Sequence, residues 1–347
     1  MGIFRLAAVM RVQLLVILSL APCTFSQEPA KRLGEIDFFG YAGLDRDRVR
    51  AALPIREGEF FTPSEKTVLE MIAGIQTAVK NTTGSPATDV AVACCDSDGN
   101  FMIYIGLSGN SRRGRPYNPV PQGKKNLPAA VVNLYQQANE LSSLLVQEGK
   151  MGEDVSQGYA LSTDPKLRAI ELNIRAFALQ HRRLLSRTLR TSRDANQRMI
   201  AVRFLGYARQ SSSQIADLVW ASHDANAGVR NDAIRALGVL AKSSQKIAGQ
   251  IPADGFVEML SSGSWTDRNK AGYLLGELSR NRNPKLLRLL RSRALDSLIE
   301  MARWRSALHA VFARSLLGRI AGIREEELAR MADAVYMEKV IRSLQTR

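Results

Sequence analysis

The stretch VRNDAIRALGVLA, residues 229–241, has no Pro, a single Gly, and apolar residues that recur at helical spacing. Its skeleton is Arg230-x-x-Ala233-x-x-x-Leu237-Gly238. The same skeleton returns as Arg198-x-x-Ala201-x-x-x-Leu205-Gly206 and as Arg268-x-x-Ala271-x-x-x-Leu275-Gly276. A further copy, Ala313-x-x-x-Leu317-Gly318, has Ala310 where the Arg would stand. The aligned positions 198, 230, 268 and 310 are 32, 38 and 42 residues apart, which suits a pair of helices per repeat and is too irregular for a propeller. Ala and Leu four apart lie one above the other on a helix face. The small Ala lets a neighbouring helix approach, and Leu fills the space beside the crossing. One unit alone buries too little, so the copies must stack into a continuous core with capped ends. Partner helices are read at 213–222, 254–262 and 293–304.

Over about residues 165–322 these units resemble HEAT repeats, in particular the short bacterial kind. The resemblance implies an Asp six residues before the Arg that pairs across the stack. Asp224 and Arg230 keep that combination, whereas Ser192, Ser262 and Trp304 stand at the other Asp positions. One possible charge pair, Asp224 with Arg230, is therefore expected in place of a continuous ladder.

Upstream of the repeats, two helices are read at 128–149 and from Asp164-Pro165 onward, the second with Leu167, Ile170, Ile174, Phe177, His181 and Leu184 on one buried stripe. The segment 34–107 differs in kind. GEIDFFG reads as a strand, LDRDRVRAALPI as a short helix stopped at Pro54, and TPSEKTVLEMIAGIQTAVK as a longer one. DVAVACC and FMIYIGL follow as strands joined through Asp98-Gly99. This βααββ order, with IDFFG leading into REGE at 56–59, resembles the polypeptide-transport-associated (POTRA) domain of envelope proteins. The resemblance implies binding of polypeptides, often by addition of a strand at a sheet edge. Nothing after residue 110 shows the alternating segments of a membrane barrel. The fold expected is an α+β N-terminal domain followed by an all-α, HEAT-like helical-repeat solenoid. Its parts are a signal peptide (1–26), the small domain (34–107), a Pro- and Gly-rich basic linker (108–128), a helical region packing on the repeats (129–191), the repeats (192–322) and a C-terminal capping helix (323–347).

The first 26 residues place Arg5 and Arg11 before the apolar run VQLLVILSLA, with Thr24 and Ser26 at small-residue cleavage positions. This is the pattern of a secretory leader, so a periplasmic or extracellular protein starting near Gln27 is expected. Cys23 in LAPC offers an alternative, lipid attachment. The run is shorter than the roughly 20 residues a spanning helix needs, and no later apolar run is longer, so no transmembrane span is expected in the mature chain. Cys94 and Cys95 are adjacent, and a bond between neighbours demands a strained ring, so two thiols are expected. Charge is uneven: residues 27–110 hold 8 Lys and Arg against 12 Asp and Glu, and residues 111–347 hold 38 against 21. Export removes most of the case for nucleic acid as a partner of the basic part and leaves anionic lipid, wall polymer or acidic protein, with an ordinary solvated face as the competing reading.

One polar loop, MGEDVSQGYALSTDP at 151–165, is the candidate partner-binding segment, through Glu153, Asp154, Ser156 and Tyr159; ordinary turn and capping chemistry is its competing reading. Enzyme signatures fail on inspection. Ser243 and Lys246 have the spacing of a penicillin-recognising pair, but neither SDN nor KTG occurs. DSDG at 96–99 lacks the Glu that closes a calcium loop. His181, His223 and His309 are far apart, and no phosphate loop or zinc signature is present. No catalytic residue, cofactor or metal is expected. The sequence thus points to an exported, non-enzymatic protein-binding scaffold of the cell envelope. The alternatives are an electrostatic binder of anionic lipid or cell-wall polymer, and an enzyme with unrecognised chemistry in the 152–165 loop.

Overall fold

The computed structural model describes residues 31–346 except 63, 95, 97, 112–115 and 151. The segment 1–26 read as a leader, Cys23 and Cys95 lie outside the described residues. The chain opens with β1 (Lys31–Phe39), α1 (Arg46–Ala52), β2 (Phe60–Phe61), α2 (Glu65–Thr83), β3 (Asp89–Ala93) and β4 (Phe101–Gly106). Helix α1 starts where the Asp45 side chain accepts the amides of Asp47 and Arg48. A capping box between Ser64 and Thr67 starts α2, and Gly84, at φ +81°, ends it in a left-handed turn. The sheet runs β2-β1-β4-β3, with β1 parallel to β4 and the other two pairs antiparallel. Strand β2 adds to the βααββ order read from the sequence, because two residues are too few to show an alternation.

Successive strand residues point to opposite faces, and here both faces are buried. Ile36, Phe38, Ile103 and Ile105 pack under α1 and α2 with Val49, Leu53, Ile75 and Val79. Phe39, Ala93, Met102 and Tyr104 instead belong to the same core as the helical part of the chain. Phe39 and Tyr104 are at most 1% exposed, and burial of each side chain supplies about 2 kcal/mol toward docking of the sheet.

The helical part comprises α3 (Ala129–Gln147), the small hairpin β5 (Glu153–Asp154) and β6 (Leu161–Ser162), α4 (Pro165–Thr191), α5 (Ala195–Leu205), α6 (Ser212–Ala221), α7 (Ala227–Ser243), α8 (Gln245–Ala248), α9 (Asp254–Met259), α10 (Trp265–Leu278), α11 (Pro284–Ala302) and α12 (Ala307–Ile320). A 3₁₀ segment (Glu325–Ala332) and α13 (Ala334–Gln345) close the end. Helices α5, α7, α10 and α12 pack each on the next and form an inner layer, while α4, α6, α9 and α11 each pack on the inner helix that follows. The repeated Ala201, Leu205, Ala233, Leu237, Ala271, Leu275, Ala313 and Leu317 are all completely buried. The glycine of the motif has its own reason at Gly238, where a Cβ would stand 2.2 Å from the Tyr273 ring. Helices α7 and α10 can approach this closely only without a side chain there.

Two readings change. His181 was placed on the buried stripe of α4, but the helix kinks at that residue (φ −117°, ψ 23°) and leaves it exposed beside Phe177. Cys94, read as a thiol, is disulfide-bonded. No described helix is long and apolar enough to cross a membrane.

Candidate functional site

Each Arg of the repeat motif sits in the first turn of an inner helix and points along the edge where the two helices of a pair are joined. Arg198 Nε and Nη2 donate to Asp224 at 2.7 and 2.8 Å. Arg230 does the same to Asp267 at 2.8 and 3.2 Å, and Arg268 Nη1 reaches Glu300 at 3.0 Å. Each Arg also donates to the turn carbonyl six residues before it, on Ser192, Asp224 and Ser262. All six side chains are at most 5% exposed. The ladder is therefore continuous, which corrects the expectation of a single pair. Asp224 and Arg230 do not pair with each other through their side chains. Asp224 serves Arg198 of the preceding repeat, and Arg230 serves Asp267 of the next. Where Ser replaces the expected acid, Asp267 reaches the same place from the first turn of α10. Glu300, one methylene longer, reaches it from the last turn of α11.

This edge is covered by the chain itself. The stretch read as a linker lies across it: the Tyr117 ring rests on the Arg230 guanidinium at 4.0 Å and its hydroxyl donates to Asp267 at 3.0 Å. Asn118 bonds the His223 and Trp220 carbonyls, Gly123 pairs with Ser192, and the Leu127 amide donates to Gln197. The sheet covers the rest. Glu300 accepts the amides of Gly40 and Tyr41, Trp304 Nε1 donates to the Phe38 carbonyl, and Arg305 holds Asp37 and Glu57. Asp89 accepts the Trp265 amide at 2.8 Å, and burial pushes its carboxyl up to about 6. Tyr104 stacks on Trp265 at 4.8 Å and shares a 2.6 Å hydrogen bond with His309, which burial pushes down to about 4 and so keeps neutral at pH 7.

The inner-helix face offers a different surface. Residues two and five places after the motif position bring together Asp232 and Lys270, and Arg203, Arg235 and Tyr273. Arg203 lies 3.6 Å from Asp232, and Arg235 pairs with Glu153 of the β5–β6 hairpin, which reaches over to this face. Lys270 is half-buried among them and, among the described residues, its ammonium makes no hydrogen bond or ion pair. Burial and, to a smaller extent, the like charge of Arg235 push it down to about 8.

The four candidate loop residues do not act as one group. Glu153 faces the inner helices, as above. Asp154 accepts the Ser156 amide in a turn, and the hydrogen bonds from Ser156 hold its carboxyl below the usual range. Tyr159 is buried, donates to Gln157 at 2.7 Å and lies under the Arg175 guanidinium at 3.8 Å. Among the described residues no group of His, Cys, Asp and Glu could hold a metal. The sequence reading missed Tyr117, Asp267, Glu300 and the inner-face group. Polar residues recurring two and five places after the motif Arg were the available signal for that group.

Stacked helix pairs sharing one core and one charge ladder define a helical-repeat solenoid. No family model matches the chain, and no curated protein does. Among solved structures it is similar to an engineered protein at 14% identity and TM-score 0.37, over 53% of this chain and 92% of that one. It is also similar to computationally designed armadillo repeat proteins for modular peptide recognition at 20% identity and TM-score 0.36, over 62% and 97%. A designed armadillo repeat protein in complex with the peptide (KR)4 shares 18% identity over the same proportions, with TM-score 0.36. At this level of superposition the likenesses carry no functional argument.

Proposed function

We propose that this chain is an exported, non-enzymatic scaffold of the cell envelope, built from HEAT-like repeats with a POTRA-like domain docked on them, and that it binds a protein partner on the inner-helix face. The observation that carries this reading is Lys270. A half-buried ammonium without a partner is costly in the free protein, and a carboxylate supplied by another molecule would offset that cost. The ladder edge is taken by Tyr117 and the sheet, and the inner-helix face is the surface proposed for the partner. Export to the periplasm or beyond is proposed from the leader pattern at 1–26.

The test places a photo-crosslinking amino acid at Asp232 on the inner face and, as a control, at the exposed Leu179 on α4. The expected result is one stoichiometric protein captured from position 232 alone, and lost when Lys270→Glu is added. The same mixture captured from both positions would overturn the reading. A second reading, binding of an anionic lipid or polymer, is favoured by one observation. Residues 279–295 carry six Arg and Lys and no acid.

A further inference from the structure

Charged side chains meet on the inner-helix face, with the cations Arg203, Arg235 and Lys270 near the acids Asp232 and Glu153. Arg203 lies 3.6 Å from Asp232, and Arg235 pairs with Glu153, which leaves Lys270 without an acid of its own among the described residues. The two acids differ in origin. Asp232 belongs to α7, an inner helix, whereas Glu153 comes from the β5–β6 hairpin, outside the stack. That hairpin is fixed through its other strand. Leu161 and Ser162 are buried, the Ser162 amide donates to Glu171 at 2.6 Å, and the Gln157 carbonyl in the connecting loop accepts from Gln210 at 2.9 Å. Glu153 is exposed, so rotation of its side chain takes it off Arg235 while the hairpin stays in place.

We propose that the partner of the inner face is an acidic polypeptide segment whose carboxylates pair with Lys270 and take Arg235 from Glu153, so that Glu153 is a built-in competitor for the partner. The inference rests on the inner-face reading and adds to it the partner's chemistry and a control on its affinity. With Glu153 turned away, Arg203, Arg235 and Lys270 face Asp232 alone, a balance that calls for more than one carboxylate from outside. Glu153 itself shows that Arg235 accepts a side-chain carboxylate at this place. The pair it makes is partly exposed to water, and such pairs are weak. The carboxylate offered to Lys270 meets a half-buried ammonium with no counter-charge in the free protein, where pairing gains more. The exchange therefore favours the partner. A basic or uncharged segment would leave Lys270 as it stands. The apparent affinity is lowered by the fraction of molecules in which Glu153 holds Arg235.

The test follows the fluorescence anisotropy of labelled octaglutamate titrated with the full chain, beside octalysine and a polyphosphate of matched charge. The proposal predicts saturable binding of octaglutamate, weakened about tenfold by Lys270→Gln and tightened about threefold by Glu153→Gln. Arg288→Gln and Glu70→Gln make the same charge changes at exposed positions on α11 and α2, and screening should keep their effects within about twofold. Circular dichroism of all four variants should match the parent. Equal effects of the remote and the inner-face substitutions overturn the proposal, as do octalysine binding as tightly as octaglutamate and a Glu153→Gln variant that binds no tighter than the parent. Polyphosphate bound as tightly as octaglutamate, with the same response to the variants, makes an anionic polymer the occupant and overturns it too. If octaglutamate fails to bind even the Glu153→Gln variant while position 232 still captures one protein, the acidic partner falls and the inner-face reading stands. If position 232 captures nothing specific as well, both fall.

Discussion

Arg198 and Asp224 form the cleanest rung of the ladder and set the most quantitative expectation. Both side chains are 2% exposed, and their two contacts of 2.7 and 2.8 Å make a bidentate pair. Replacing Arg198 by Met leaves the Asp224 carboxylate buried with the Asn226 amide as its remaining donor, and strips the Ser192 and Arg193 carbonyls of theirs. Replacing Asp224 by Asn keeps an acceptor for that amide but leaves the guanidinium charge without a counter-charge. Breaking a buried pair from one side costs about 3 to 5 kcal/mol, whereas removing both charges is often nearly neutral. Each single variant should therefore lose about 3 kcal/mol or more in urea unfolding followed at 222 nm. The double variant Arg198→Met, Asp224→Asn should recover at least about 2 kcal/mol relative to the sum of the singles. Singles within about 1 kcal/mol of the parent, or strictly additive losses, would refute the view that the ladder is an energetically coupled element.

Three further outcomes follow from the geometry. Leu237→Asp puts a charge without a partner into the completely buried core of α7, and should abolish the cooperative thermal transition; an unchanged melting curve would contradict the stacking. Lys270 binds its proton more weakly in the folded state, so its cost is present below about pH 8 and is relieved as pH rises toward its ordinary 10.5. Lys270→Met should accordingly stabilise the free protein by about 1 kcal/mol at pH 7, with the gain fading by pH 10.5 in parallel urea titrations. Asp89 holds its proton more tightly when folded, so stability falls as pH rises from 3.8 through about 6, and His309 acts in the opposite sense between about 4 and 6.5. Asp89→Asn keeps an acceptor for the Trp265 amide, so it should stabilise at pH 7 by about 1 kcal/mol and expose the His309 slope as a loss of stability on acidification. A variant that changes stability equally at pH 4 and pH 7 would contradict this.

Local rules carried the sequence reading a long way where they govern. The four-residue step from Ala201 to Leu205, and its copies, reports burial on one helix face, and that face is the stacking surface. Asp45, Ser64 and Asp164 cap the helices that they precede. The ladder was legible only in part, because its acids come from three different positions relative to the motif Arg. What fixes Asp267 and Glu300 is reach in space, which no fixed spacing encodes. The role of 116–128 was hidden for a related reason. Its composition is that of a spacer, yet Tyr117 and Asn118 are held by two carbonyls, one carboxylate and a guanidinium from residues 220–267, all distant in sequence. The docked face of the sheet was likewise invisible, since Phe39 and Tyr104 alternate with residues of the other face as in any strand buried on both sides.

The account turns on the sheet and the stack being one body that closes the ladder edge from within. Amide hydrogen exchange measures this directly. Gly40 and Tyr41, whose amides bond Glu300, and Trp265, whose amide bonds Asp89, should exchange only with global unfolding, and Glu300→Gln should deprotect residues 37–41 together with 298–305. Exchange of residues 31–107 through a separate opening, indifferent to Glu300→Gln, would show two tethered parts and a ladder edge open to partners.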